Sequence, residues 1–191
     1  MDKPKVQEAL AGLYGMLDDS PAAGQGRSSS ENFLVIGGSA LVMQDVIAET
    51  PDIDLVPERM ADFYSAGQAL KRRGVAVANE RTPSKDMVYI LKFLVKGREY
   101  EIFNRAAAAE VLAGRLDACD SIGTNGMKFR VRPVEMLEKD CLRVLMETES
   151  QDPEVLKSLG SDCYLSYCRK LEKYRDRVRT IQDFAHSQLY K

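Results

Sequence analysis

The chain has 191 residues, enough for one sizeable core with a helical appendage but short for two full domains. Its formal net charge of -2 and isoelectric point of about 5.6 provide no global positive field, so any contact with nucleic acid must be local. A single histidine, His186, nearly excludes a Ser-His-Asp triad and a histidine-ligated metal cluster.

The first third of the chain predicts a helix, a linker and a strand-turn-helix unit. Apolar residues at helical spacing predict an amphipathic helix over 4–18. Residues 19–32 are rich in Ser, Gly and Ala, which is typical of a flexible linker. A buried strand is predicted over 33–36, and Ser39 is placed to cap a helix covering about 40–49.

The middle of the chain combines short β-rich runs with one helix. The predicted strands cover residues 53–56, 75–78, 87–95 and 98–103. A helix is predicted over 58–73. Lys96-Gly97 should form the hairpin turn between the last two strands.

The last third of the chain is predicted to be mainly helical. The predicted helices cover residues 105–116, 133–148 and 163–186. Asn104 is placed to cap the first of these helices, and Pro133 suits the first turn of the second. Between them, Asn125-Gly126 indicates a turn before a strand over 127–131.

The final predicted helix carries a local surplus of positive charge. Its window 169–179 holds six basic residues, Arg169, Lys170, Lys173, Arg175, Arg177 and Arg179. Only Glu172 and Asp176 oppose them, so the surplus is four charges. Two interpretations stay open, a solvated helix face and a surface that contacts an RNA backbone.

The cysteines and the hydropathy of the chain predict its compartment. The cysteines, at positions 119, 141, 163 and 168, include no C-x-x-C pair, and the chain begins without a basic region followed by an apolar core. We expect reduced thiols in a cytoplasmic protein. No apolar run approaches the roughly 20 residues that cross a bilayer, so we expect no membrane contact.

The triplet Gly37-Gly38-Ser39 has the form of a phosphate cradle. Glycine lets the backbone approach a ligand closely, and free amides after a strand favour an anion. A purely structural strand-to-helix turn has the same form. Neither G-x-x-x-x-G-K nor G-x-G-x-x-G occurs here, so the P-loop and the dinucleotide fingerprint do not apply.

Asp52 and Asp54 are separated by one apolar residue, Ile53. On a strand, residues two apart face the same side, so the two carboxylates should converge while Ile53 enters the core. Carboxylates this close repel unless a cation lies between them, and their hard oxygens suit Mg²⁺ or Mn²⁺. The alternative is a pair of solvated acids at a loop edge.

Residues 33–56 resemble the signature of the DNA polymerase β-like nucleotidyltransferase superfamily. The matching residues are Ile36-Gly37-Gly38-Ser39 and Asp52-Ile53-Asp54-Leu55. The resemblance implies an α/β (α+β) fold, with a small mixed β-sheet as the nucleotidyltransferase core and a helical C-terminal extension. It also implies a metal-dependent enzyme that moves an NMP from a nucleoside triphosphate to an acceptor hydroxyl.

The resemblance also implies the residues of the active site. The superfamily places a third carboxylate on a later strand, for which Glu101 is the candidate and Glu99 the fallback. With Asp52 and Asp54, Glu101 would be catalytic and would hold Mg²⁺ or Mn²⁺. The nucleotide phosphates would lie against Gly37, Gly38 and Ser39.

Within the superfamily, the chain most resembles the stand-alone AbiEii-like nucleotidyltransferases of toxin-antitoxin systems. The resemblance lies in residues 131–139, which lead into a helical C-terminal part. It implies that Lys139 contacts the nucleotide and makes Asp152 a candidate for a later acid. We expect three parts, an N-terminal helix and linker over 1–30, the core over 31–132 and a helical region over 133–191.

The chain departs from the superfamily in one respect. Residues 40–51 contain no Lys or Arg, so a triphosphate would need its positive partner elsewhere, at Lys92, Lys139 or Arg81. The principal alternative is therefore a catalytically silent binding or regulatory protein with this fold. A glycosyltransferase that uses the two acids is disfavoured, because few residues remain for such a fold. The acceptor stays open among an RNA end, a protein hydroxyl and a small molecule.

Overall fold

The computed structural model describes residues 1–18, 29–81, 88–114, 116–123 and 126–189, which contain seven strands and eight helices. The strands are β1 (Phe33–Ile36), β2 (Asp52–Pro57), β3 (Val77–Arg81), β4 (Val88–Val95), β5 (Arg98–Phe103), β6 (Cys119–Ile122) and β7 (Lys128–Val131). The helices are α1 (Lys3–Asp18), α2 (Ser29–Asn32), α3 (Gly37–Met43), α4 (Met60–Arg72), α5 (Arg105–Val111), α6 (Val134–Glu149), α7 (Pro153–Ser158) and α8 (Ser161–Gln188).

The seven strands form one mixed sheet with the order β3-β4-β5-β2-β1-β7-β6. Strands β2 and β5 pair in parallel, as do β1 and β7, whereas the other neighbours are antiparallel. With the helical C-terminal region, this mixed sheet confirms the predicted α/β fold class. Within the described ranges, no helix is both long and apolar enough to cross a membrane.

One face of the sheet is covered by α1 and α4. Leu10 of α1 is fully buried, which contributes about 1.5–3 kcal/mol. The hydroxyl of Tyr100 on β5 donates a hydrogen bond to the carbonyl of Ala9 in α1 (3.2 Å). Helix α4 presents Gly67 to the side chain of Leu91 on β4. These contacts bury one side of the central strands and leave polar residues on the other side.

The chain divides into two compact units. The first comprises Met1–Glu110 and Gly114–Pro133, and it contains the sheet. The second comprises Val111–Ala113 and Val134–Lys191, and it contains α6, α7 and α8. In the second unit α8 packs on α6, with hydrogen bonds that join Gln182 to Glu138 (2.9 Å) and Arg175 to Glu149 (2.8 Å).

Several local predictions are confirmed. The helix expected over 4–18 is α1, and the strand expected over 33–36 is β1. Strands β4 and β5 form a hairpin, with Val95 opposite Arg98 on either side of Lys96-Gly97. The side chain of Asn104 accepts a hydrogen bond from the amide of Ala107 (2.8 Å), as a helix cap should.

Helix α3 differs from its prediction at both ends. It begins at Gly37, so Ser39 lies inside the helix instead of capping it, and it ends at Met43 instead of near residue 49. Asp45 has a φ of 61°, and the amide of Val46 donates to the carbonyl of Leu41 (2.9 Å). This is a Schellman ending, with aspartate at the left-handed position where glycine is usual.

Other boundaries were also wrong. Helix α5 ends at Val111 instead of residue 116, and the amide of Ala113 just beyond it donates to the Asp140 carboxylate (2.6 Å). Strand β6 and helix α7 were not predicted, since their short sequences have little apolar periodicity. The linker expected over 19–32 ends as the helix α2, while its residues 19–28, like Met87 and Asn125, lie outside the described residues.

Candidate active site

Four residues form a row across the centre of the sheet. Ile36 on β1 lies opposite Asp54 on β2, Asp54 opposite Glu101 on β5, and Glu101 opposite Lys92 on β4. Paired residues of neighbouring strands point to the same face of a sheet. The two carboxylates and the ammonium group therefore share the face opposite to α1 and α4.

A second pair of acids lies on the same face, one step along the strands. Asp52 precedes Asp54 by two residues, and its parallel partner on β5 is Glu99. Both aspartates are partly exposed, whereas Ile53 between them is fully buried. The alternation therefore places Asp52, Asp54, Glu99 and Glu101 together on one face.

Gly37 is fitted to the carboxylate of Asp54. Its φ of 60° lies in the left-handed region, and a Cβ atom there would come within 2.2 Å of Oδ2 of Asp54. No real Cβ contact is that short, so a side chain at position 37 would displace this carboxylate. The turn and the acid pair, separate in the sequence, are thus in direct contact.

The hydroxyl of Ser39 joins the same turn to β2. It donates a hydrogen bond to the carbonyl of Ile36 (2.8 Å) and accepts one from the amide of Asp54 (3.3 Å). Ser39 is fully buried. In this conformation its side chain positions Asp54, and the contact with a nucleotide that we expected of Ser39 stays a prediction.

Thr50 performs a similar task for Asp52. Its hydroxyl oxygen lies 3.0 Å from Oδ1 of Asp52, to which it donates, and the threonine itself is buried. Thr50 was not predicted from the sequence as a residue of the site. The signal was a hydroxyl residue two positions before the first aspartate, a spacing at which side chains hydrogen-bond locally.

Lys92 neutralises part of the acidic face. Its ammonium group lies 2.9 Å from Glu101 and 2.8 Å from Glu80 of β3. The hydrogen bond to Glu80 contributes most to raising the pKa of Lys92. Burial opposes this rise, and the hydrogen bond to Glu101 adds a smaller one. Lys92, one of the cations considered above for a triphosphate, therefore lies beside Glu101.

The acids suit a divalent cation in kind, since all offer hard carboxylate oxygens. Among the described residues, however, no three acidic, histidine or cysteine side chains stand close enough together to hold a metal ion. Glu101 is paired with Lys92, and Asp52 with Thr50. A cation held by Asp52, Asp54 and Glu101 would therefore compete with Lys92 for Glu101.

The remaining predicted residues are placed as follows by the fold. Gly38 is buried inside α3. Lys139 is an exposed residue of α6 in the second unit, so its predicted contact with a nucleotide stays a prediction. Asp152 caps α7 by accepting the amide of Glu154 (2.9 Å). The side chain of Arg81 lies outside the described residues.

Comparison with solved structures finds similarity to a candidate nucleotidyltransferase from Thermotoga maritima, with a TM-score of 0.38 and 16% sequence identity. The match covers 71% of this chain and 70% of that chain. No protein-family model matches the sequence, and no curated protein matches it significantly. A likeness this low does not transfer a function, so any assignment must come from the site itself.

Proposed function

We propose that the chain is a nucleotidyltransferase, which moves an NMP from a nucleoside triphosphate to an acceptor hydroxyl. One observation carries the proposal, the contact between the Gly37 turn and the carboxylate of Asp54. The sequence resemblance implies one site that contains both the Gly-Gly-Ser turn and the Asp-x-Asp strand, and this contact supports such a site. The placement of Glu101 beside Asp54 on the neighbouring strand adds support.

A divalent cation belongs to the proposal, because carboxylates alone would repel a triphosphate. Asp52 and Asp54, joined by Glu101 after its release from Lys92, would hold Mg²⁺ or Mn²⁺. The bound cation would neutralise the phosphates and favour ionisation of the acceptor hydroxyl.

Three residues around the two aspartates would determine the position of the reaction. Gly37 and Ser39 set the position of Asp54, and Thr50 sets that of Asp52. The acceptor oxygen forms a bond to the α-phosphorus while the bond from that phosphorus to the bridging oxygen breaks. The electron pair of that bond leaves with pyrophosphate, and the acceptor proton passes to a carboxylate of the row or to water.

The proposal is tested by incubating the protein with each α-labelled nucleoside triphosphate, Mg²⁺ and whole-cell extract. We expect one triphosphate to label a product, and the same triphosphate labelled at its γ-phosphate to leave the product unlabelled. Asp52→Asn and Asp54→Asn should abolish the labelling. Label transferred from the γ-phosphate would indicate a kinase instead, and absence of any labelled product would contradict the proposal.

A finer proposal concerns the biological role. The resemblance of residues 131–139 to AbiEii-like proteins supports a cytoplasmic toxin of a toxin-antitoxin pair, with Lys139 contacting the nucleotide. Induced expression in a bacterial host should then arrest growth, and Asp54→Asn should restore it. Growth arrest by both forms would show that toxicity is independent of nucleotidyl transfer.

A second candidate function has its own support. Lys92 forms ion pairs with Glu80 and with Glu101, the proposed third acid of the site. An acid that is already paired favours a catalytically silent protein that binds nucleotides or regulates a partner. Mg²⁺-dependent binding of a triphosphate without labelled product, under every acceptor tried, would favour this candidate over the enzyme.

A further inference from the structure

We propose that Lys92 is an exchangeable counter-ion, which holds Glu101 while the site is empty and turns to the triphosphate when a divalent cation takes its place. This inference rests on the proposed function and gives Lys92, one of the cations considered for a triphosphate, a second role toward Glu101. Lys92 would be a positioning residue for Glu101 and a binding residue for phosphate. The two roles would couple metal binding to nucleotide binding.

The first support is the place of Lys92 in the sheet. It lies directly opposite Glu101 on the neighbouring antiparallel strand, and Glu101 lies opposite Asp54. The ammonium group is therefore on the face that carries the acid row. A cation bound between Asp54 and Glu101 would lie close to this lysine and would compete with it for the same carboxylate oxygens.

The second support is the exposure of the ion pair. The side chains of Lys92, Glu80 and Glu101 retain 39%, 53% and 26% of their full exposure. Exposed ion pairs contribute little net free energy, because water solvates each partner when they separate. Exchange of the ammonium group for a divalent cation therefore costs little free energy. After the exchange, the side chain of Lys92 remains in solvent beside the site.

The third support is the charge balance of the face. Five carboxylates, Asp52, Asp54, Glu80, Glu99 and Glu101, share it with Lys92 according to the register of the strands. The segment 40–51, between the Gly37 turn and Asp52, contains no Lys or Arg. A flexible four-carbon side chain lets Lys92 supply the missing positive charge to phosphate oxygens after it leaves Glu101.

The inference predicts two shifts of opposite sign in Lys92→Met. Removal of the lysine frees Glu101 from an exposed ion pair, so Mn²⁺ should bind roughly threefold more tightly, as measured by electron paramagnetic resonance. At saturating Mg²⁺, a non-hydrolysable triphosphate should bind roughly tenfold more weakly, because its positive partner is removed. Lys92→Arg should keep both affinities near those of the wild type.

Two controls separate this role from a structural one. Lys71→Met, on α4 at the opposite face, should change neither affinity. In a Glu101→Gln background, Lys92→Met should no longer tighten Mn²⁺ binding, because the carboxylate that the lysine masks is absent. Equal tightening in that background would overturn the inference.

The outcomes also distinguish this inference from the proposed function. If the wild type transfers label but Lys92→Met leaves either affinity unchanged, or lowers both, the inference is wrong and the enzyme assignment stands. If the wild type binds no triphosphate, the proposed function fails together with the phosphate role of Lys92. In that case, tighter Mn²⁺ binding by Lys92→Met would still support the pairing of Lys92 with Glu101, and unchanged Mn²⁺ binding would overturn that pairing role.

Discussion

The carboxylate of Asp54 occupies the space that a side chain on Gly37 would need. This contact couples the backbone of a tight turn to the position of one acid. Ser39 adds a second link through the amide of Asp54, so the acid is held from both its side chain and its backbone. A small change in the turn should therefore displace the Asp54 carboxylate before it disturbs the packing of the core.

Gly37→Ala tests this coupling, with Gly74→Ala as its matched control. Both glycines have a φ near 60–70°, but a Cβ atom at position 74 would meet nothing within 4 Å. We expect Gly74→Ala to cost about 1–2 kcal/mol of unfolding free energy through backbone strain alone. Gly37→Ala should cost about 1 kcal/mol more, because its Cβ atom would overlap the Asp54 carboxylate, and should also abolish Mg²⁺-dependent triphosphate binding. Equal destabilisation by the two substitutions, with binding kept, would contradict the coupling.

Asp54→Ala should separate activity from stability. We expect nucleotide transfer to fall by at least about a hundredfold, because the substitution removes an acid of the reaction centre. The thermal midpoint should stay unchanged or rise slightly, because one of several crowded carboxylates is removed. Asp183→Ala, an exposed acid of α8, should alter neither. A large fall of the midpoint in Asp54→Ala would instead indicate a structural role.

At the scale of elements, the sequence predicted best where a short pattern determines the structure. Alternation predicted the shared face of Asp52 and Asp54, and Asn104 predicted the start of α5. The end of α3 was beyond prediction, because it depends on aspartate in a conformation that normally requires glycine. The contact of Gly37 with Asp54 was equally hidden, since it arises from the pairing of β1 with β2.

Helix α8 is largely exposed to solvent. Its buried residues, Val178 and Ile181, lie in its second half, whereas Arg169, Lys170 and Lys173 are exposed in its first half. Arg175 and Arg179 are paired with acids, so only part of the basic window remains available to a partner. An RNA acceptor would therefore meet a short basic segment.

Arg169→Ala combined with Lys173→Ala tests RNA binding by α8. If these residues bind the backbone of an RNA acceptor, affinity should fall, and its dependence on salt should flatten by about one counterion for each phosphate group that is no longer bound. Triphosphate binding should not change. The matched control is Lys5→Ala with Lys71→Ala, two exposed lysines of the first unit. An unchanged dependence of RNA affinity on salt concentration in the α8 variant would indicate that the helix has only a structural role.

At the scale of the whole molecule, each of the two units buries an ionisable group that must stay protonated. Burial raises the pKa of Tyr14 in the first unit far above its ordinary value. In the second unit burial raises the pKa of Cys141 to about 11 from 9.0. Unfolding exposes both groups to water, where they ionise more readily, so alkaline pH should favour the unfolded chain.

The protein should therefore lose stability as pH rises from 9 towards 11. The stabilisation from Cys141 is fully present below pH 9 and is lost as the pH passes through the folded pKa, a change on the order of 2–3 kcal/mol. Urea unfolding at a series of pH values, under reducing conditions, measures this loss. Cys141→Ala should show a shallower decline than the wild type, and an equal decline would contradict the assignment to this thiol.

The central claim is that the Gly37 turn and the acids of β2 form one cation-dependent nucleotide site. Its most direct test is equilibrium binding of a non-hydrolysable nucleoside triphosphate by titration calorimetry, because binding requires no knowledge of the acceptor. The wild type should bind in Mg²⁺ and lose binding in EDTA. The double variant Asp52→Asn and Asp54→Asn should bind at least about tenfold more weakly in Mg²⁺. Binding that is indifferent both to Mg²⁺ and to the two substitutions would contradict the claim.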